Sequence, residues 1–164
     1  MKQIGILSDT HGYLDENIFK HFAKCDEIWH GGDFGSEDVA EKLASFKPLR
    51  GVYGNIDGAG IRSRFPEKLH IAIEELDVFM QHIGGYPRKY APGVRQEILK
   101  SGSKLFISGH SHILKIMYDD QLDCLHINPG AAGKQGWHKV QTLVRLVIDG
   151  DKLRNCEVIE LGKR

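Results

Sequence analysis

What this chain is short of narrows it first. Its three cysteines stand far apart at Cys25, Cys124 and Cys156, odd in number and in no CxxC spacing. That excludes a disulfide framework and a thiolate-rich structural zinc site, and it suits a reducing cytoplasmic compartment. Neither sign of charge prevails, since Lys and Arg total 22 and Asp and Glu total 22. Without a global positive field, bulk nucleic-acid binding is not expected, and near-neutrality leaves room for a homodimer. No apolar run approaches membrane-spanning length, and the opening residues lack the apolar core and cleavage site of a secretory signal. No membrane partner is therefore expected. Repeats, linkers and low-complexity tracts are missing too. The 164 residues, 41% hydrophobic and 27% charged, read as one soluble globular domain spanning 1–164.

What is present is a rhythm of short apolar runs that break into glycine-containing turns. Lys2 to Leu7 reads as a buried strand, Asp15 to Lys24 as an amphipathic helix, and Glu27 to His30 as a second strand. Ser36, followed by Glu37 and Asp38, starts a helix that runs to Phe46 and stops at Pro48. Leu49 to Tyr53 is a third strand. Strands alternating with helices over this half imply parallel pairing with crossover helices. From Lys68 the pattern turns strand-rich. Lys68–Glu74 and Asp77–His82 form a hairpin-like pair, and residues 83–93 read as a loop rich in Gly and Pro. Val94–Lys100 is a helix, and the strands Lys104–Ser108, Ile113–Tyr118, Leu122–Ile127, Lys139–Ile148 and Arg154–Leu161 follow. Two packed sheets with helices outside account for this mixture better than one doubly wound sheet.

The turns carry the chemistry. Asp9 and His11, Asp33, Asn55, His82, and the pair His110 and His112 each lie at or just past a strand end. Any one has an ordinary explanation. Asp9 between Ser8 and Thr10 suits a cap, Gly31-Gly32-Asp33 and Gly54-Asn55 suit tight turns, and His82 suits a core imidazole. Two imidazoles two residues apart at His110 and His112 need a stronger reason, and a shared ion supplies one. Oxygen and imidazole donors without thiolate suit Mn, Fe, Zn or similar ions. Seven candidate ligands exceed what one four-coordinate ion needs, which favours two ions sharing a carboxylate. Among the other histidines, His30 and His126 are candidates to support ligands from behind, while His138 finds no place.

The ordered series Asp9-Thr10-His11, Gly31-Gly32-Asp33, Gly54-Asn55 with Asp57, His82, and Gly109-His110-Ser111-His112 resembles the calcineurin-like metallophosphoesterase superfamily. The short chain and the Asn128-Pro129-Gly130 stretch point to its small bacterial and archaeal phosphodiesterase branch. The resemblance implies an α/β four-layer sandwich, with two central mixed β-sheets flanked by helices and a dimetal centre at the sheet edge. It implies one ion on Asp9, His11, Asp33 and His112, and a second on Asp33, Asn55, His82 and His110. Manganese is the first expectation, with Fe, Zn, Co and Ni also suited. Asp33, Asn55, Asp57 and His82 become the catalytic group, and the implied reaction is hydrolysis of a small phosphodiester by in-line attack of a metal-bridging hydroxide. The alternatives are a phosphomonoesterase and a non-catalytic metal-binding scaffold on the same fold.

Two departures stand out. Many relatives place a histidine directly after the asparagine, but here the residue is Ile56, which can neither bind phosphate nor protonate a leaving group. After His82 the run Ile83-Gly84-Gly85-Tyr86-Pro87-Arg88-Lys89-Tyr90 replaces a shorter glycine turn. If it borders substrate, Arg88 or Lys89 would meet phosphate and Tyr86 or Tyr90 would stack on a base.

Overall fold

The computed structural model describes residues 1–164. The first half builds β1 (Lys2–Leu7), α1 (Asn17–His21), β2 (Glu27–His30), α2 (Glu37–Phe46), β3 (Leu49–Gly51) and α3 (Ala59–Arg62). The second builds β4 (Lys68–Ile73), β5 (Leu76–Gln81), a small hairpin of β6 (Gly85–Tyr86) and β7 (Lys89–Tyr90), and α4 (Val94–Ser101). It closes with β8 (Leu105–Ile107), β9 (Lys115–Asp119), β10 (Cys124–Asn128), β11 (Val140–Asp149) and β12 (Lys152–Lys163).

The strands form two five-stranded mixed sheets, ordered β12-β11-β1-β2-β3 and β4-β5-β8-β10-β9. In the first, β1, β2 and β3 run parallel, as the crossover helices require, while β11 pairs antiparallel with both β1 and β12. In the second, β5, β8 and β10 are parallel, and β4 and β9 close the edges antiparallel.

Strand alternation sorts the apolar residues into layers. Ile4, Ile6, Val78, Met80, Leu105, Ile107, Val144 and Leu146 share one cluster between the sheets. The opposite faces serve the helices. Leu7 and Leu143 meet Ile18, Phe22, Val39 and Leu43 from α1, α2 and the turn after α1. Phe79 and Phe106 meet Val94 and Ile98 of α4. The result is the expected order of helices, sheet, sheet and helix. Ser36 caps α2, its hydroxyl accepting from Val39 N at 3.4 Å, with Glu37 and Asp38 in the first turn. Cys25 and Cys124 fill these outer cores, where burial pushes their thiols up to about 11 and about 12. No helix is long and apolar enough to cross a membrane.

Several boundaries move for local reasons. The first helix shortens to Asn17–His21, and the third strand ends at Gly51, with Val52 to Gly54 irregular before the turn at Asn55-Ile56. The hairpin turn falls at Glu74-Glu75, one residue earlier than the expected Glu75-Leu76, with Glu74 left-handed at φ 52°. The strand expected from Ile113 begins at Lys115, and the last strand extends over Lys152–Lys163. Helix α3 was not anticipated. It is four residues long with a glycine inside, and it is tied down by Arg62, whose Nε donates to Asp57 O at 2.7 Å.

Candidate metal centre

The ligand-bearing turns leave the C-terminal ends of β1, β2, β3, β5 and β8, which parallel pairing places on one rim. Backbone bonds lace them together. Asp9 N donates to Gly32 O at 3.0 Å, His11 N to Asp33 O at 3.1 Å, and Gly109 N to His82 O at 2.9 Å. Asp9, His11, Asp33, His110 and His112 all take left-handed backbone, with φ of 54°, 45°, 58°, 71° and 61°. For non-glycine residues this conformation is uncommon and is held only where surrounding contacts over-determine it. Here the lacing supplies those contacts and turns each side chain back into the rim.

Two groups of donors result. The ligand atoms of Asp9, His11 and His112 lie within 4.8 Å of one another, as do those of Asp33, His82 and His110. Asp33 Oδ2 joins the groups, 3.5 Å from His11 Nε2 and 3.2 Å from His82 Nε2. Asp9 Oδ1 is 3.2 Å from His112 Nε2 and 3.8 Å from His82 Nε2. Asn55 Oδ1 lies 3.0 Å from His110 Nδ1. All seven anticipated ligand residues therefore meet at one rim.

The surrounding residues set their direction. Asp9 Oδ2 accepts from Ser8 Oγ at 2.7 Å and from His110 N at 3.1 Å, and Asp33 Oδ1 accepts from Ile56 N at 3.0 Å. His82 Nδ1 faces Gly31 O at 2.7 Å, so in the neutral ring the proton sits there and Nε2 carries the lone pair that a cation would take. Glycine is required next to these carboxylates. A Cβ on Gly54 would lie 2.0 Å from Asp33 Oδ1, and one on Gly109 would lie 2.2 Å from Ser8 Oγ and 2.7 Å from Asp9 Oδ2.

Asp57, expected in the catalytic group, has its carboxylate held by backbone amides. Its buried carboxylate accepts from the backbone amides of Phe34, Gly35 and Gly54 at 3.2, 3.0 and 2.8 Å. It braces the turns that carry Asp33 and Asn55 rather than orienting a histidine. His30 supports from behind as anticipated. Its Nδ1 accepts from Gly32 N, its Nε2 meets Thr10 Oγ1, and Thr10 donates on to Phe34 O. Complete burial pushes His30 down to about 3, so it serves as a neutral brace. His126 contacts Ser108 Oγ at 2.8 Å, and Asn128 donates to Gly109 O at 2.9 Å and Ser111 Oγ at 3.1 Å, pinning the His110–His112 turn. His138, which had no place in the sequence reading, stands edge-on to His112 with ring centroids 5.3 Å apart and faces Gly133 O. Nothing in its sequence neighbourhood signals this.

The electrostatics suit cations. Burial opposes ionisation of Asp9 and Asp33, yet the imidazoles beside them win and hold both carboxyls below the usual range. Asp9 in turn raises His11, and Asp33 raises His82 against its burial. Asp9 Oδ1, His11 Nε2 and His82 Nε2 are buried without a hydrogen-bond partner. Unsatisfied buried donors and acceptors are costly and rare, and three aimed into one gap fit cation ligation. The chain thus carries a dinuclear site of Asp and His donors able to hold two divalent ions.

Of the loop after His82, Tyr86 and Lys89 lie on the small hairpin beside this rim, whereas Arg88 reaches toward Asp120 at 4.0 Å on another side. Tyr90 packs on Phe106 and donates to Asp119 at 2.7 Å, so it is structural.

A two-sheet sandwich with Asp and His donors on its parallel strand ends defines a metallophosphoesterase-type protein. The chain belongs to that family: the calcineurin-like phosphoesterase superfamily domain matches residues 1–151. It is 32% identical to a probable metallophosphoesterase of Methanothermobacter thermautotrophicus, over 97% of this chain and 92% of that protein. Among solved structures it resembles Chaetomium thermophilum Vps29, with TM-score 0.77, 16% identity and full coverage of both chains. It also resembles Entamoeba histolytica Vps29 complexed with zinc, with TM-score 0.72, 15% identity, and 96% and 98% coverage. These structural likenesses speak to the fold.

Proposed function

We propose that the protein is a phosphoester hydrolase using two divalent ions, manganese first among them, and acting on small phosphodiesters. One observation carries this reading: Asp33 Oδ2 reaches both donor groups, at 3.5 Å from His11 and 3.2 Å from His82. On this reading Asp9, His11, Asp33 and His112 hold one ion, and Asp33, Asn55, His82 and His110 hold the other. When bound, the pair supplies Lewis-acid charge and lowers the pKa of water. The chain does the rest. Left-handed backbone and Asp57 fix the donors before substrate arrives, so little reorganisation is needed. Neutral Asn55 offers an oxygen without adding an anion where phosphate must approach. Ile56 gives its backbone N–H to Asp33 but no proton to a leaving group, so esters of acidic alcohols turn over best. The three free thiols fit a reducing cytoplasm.

The test is turnover of an aryl phosphodiester and an aryl phosphomonoester by protein loaded in turn with Mn, Zn, Co and Ni. Faster release of phenolate from the diester supports the reading. Faster release from the monoester makes the protein a phosphomonoesterase, and two bound ions without turnover make it a metal-holding scaffold.

A further inference from the structure

Beside the donor cluster opens a cavity of about 270 Å³ that none of the metal-site residues except His110 shares. Its wall is mostly carbon and includes no aspartate or glutamate. At its side Lys115 Nζ rests 3.8 Å from the centroid of Tyr86, and Lys89 lines the same space. At its mouth Ile83 and Ile113 stay 43% and 62% exposed, two branched apolar side chains that no element of the fold covers. His126, 1% exposed, is one of its lining residues, and its Nδ1 has no protein hydrogen-bond partner.

We propose that this cavity binds a nucleotide arm of the substrate: a flat base between the exposed isoleucines and the Tyr86 wall, with an anionic group on Lys115 and Lys89. The inference rests on the phosphodiesterase reading for the position of the scissile phosphorus, but the cavity can be tested apart from it. A volume of about 270 Å³ admits one nucleoside. The absence of carboxylates beside two ammonium groups selects an anion over a cation, and the carbon wall selects a flat organic body over bare phosphate. His110 belongs both to the donor cluster and to the cavity wall, so a ligand here is continuous with a phosphate on the ions.

The experiment uses full-length, chelator-treated protein and calorimetric titration with adenosine 5′-monophosphate, ribose 5-phosphate and adenosine. The nucleotide is expected to bind once per chain, with ribose 5-phosphate weaker by about tenfold or more for want of the stacked base. Lys115→Ala and Ile113→Ser should each weaken the nucleotide about tenfold. Equal binding of ribose 5-phosphate and the nucleotide, or unaltered nucleotide affinity in both variants, would overturn the proposal. A second arm uses the Mn-loaded protein and the ratio of kcat/KM for thymidine 5′-(4-nitrophenyl) phosphate to that for methyl 4-nitrophenyl phosphate. Lys115→Ala should collapse that ratio about tenfold, and an unchanged ratio counts against the cavity. If neither ester turns over while the nucleotide binds as described, catalysis fails and the cavity stands. Brisk turnover of both esters without nucleotide affinity leaves catalysis standing and removes the cavity.

Discussion

Asp57 separates a catalytic carboxylate from a bracing one, and its replacement gives distinct results for each. Its two oxygens receive three buried backbone amides, from Phe34, Gly35 and Gly54. Asp57→Ala leaves all three without an acceptor. At about 1–3 kcal/mol for each buried amide, and allowing for relaxation and water entry, the loss should be roughly 3–5 kcal/mol. Asp57→Asn keeps one carbonyl oxygen, which can serve Phe34 and Gly54 while its amino group confronts Gly35. The loss should then be about 1–3 kcal/mol. Because Phe34 and Gly54 adjoin the turns holding Asp33 and Asn55, both variants should also bind Mn more weakly, alanine more than asparagine. Urea unfolding in the presence of chelator measures the first effect, and Mn titration measures the second. A variant Asp57→Asn with wild-type unfolding midpoint and Mn affinity but without turnover would refute the bracing account and return Asp57 to the reacting groups.

Other consequences follow from packing and titration. Gly54→Ala should push the Asp33 carboxylate away, since the new Cβ falls 2.0 Å from Oδ1; Mn affinity should drop by about tenfold or more with a stability loss of about 1–3 kcal/mol, and an unchanged Mn isotherm would show that Asp33 does not need this approach. His126 is pushed down to about 4, by burial first and Lys115 second. Its unfolded-state value near 6.5 means that the unfolded chain takes up the proton first, so stability is intact above about pH 6.5 and falls as pH drops toward 4. Its share of the loss by pH 5 is about 2 kcal/mol, and His126→Gln should reduce the difference between pH 7 and pH 5 unfolding free energies by that amount; equal slopes would contradict it. Arg50, whose guanidinium meets Glu27 at 2.7 Å on the strand beside the core, should tolerate Lys with a loss of at most about 1 kcal/mol in urea unfolding, because the pair is partly exposed; a several-fold larger loss would show that it is buried in solution.

The layered fold was legible because the unbroken apolar runs at Ile4–Leu7, Val78–Met80 and Leu105–Ile107 mark strands buried on both faces. The partners of the strands were less so. That β11 inserts between β1 and β12 depends on contacts more than a hundred residues apart, which no local pattern reports. The metal donors stood out because Asp and His are seldom placed directly after buried strands without a reason, and these also tolerate left-handed backbone. The bracing residues were hidden for the opposite cause. Asp57 and His138, unlike the anticipated His30, act on backbone groups or on the His112 ring, and the position of an amide or a ring centroid leaves no trace in residue type. Short elements such as α3 and the β6–β7 hairpin formed against weak local preference, held by the bond from Arg62 back to Asp57 O and by the glycine at position 85.

The central claim is that Asp33 joins two cations. Electron paramagnetic resonance of Mn-loaded protein, with metal counted per chain, tests it most directly. Two Mn per chain with an exchange-coupled signal, converted by Asp33→Asn to an uncoupled or singly occupied centre, is the predicted result. A single uncoupled Mn in the natural protein, or coupling that survives Asp33→Asn, would contradict the account.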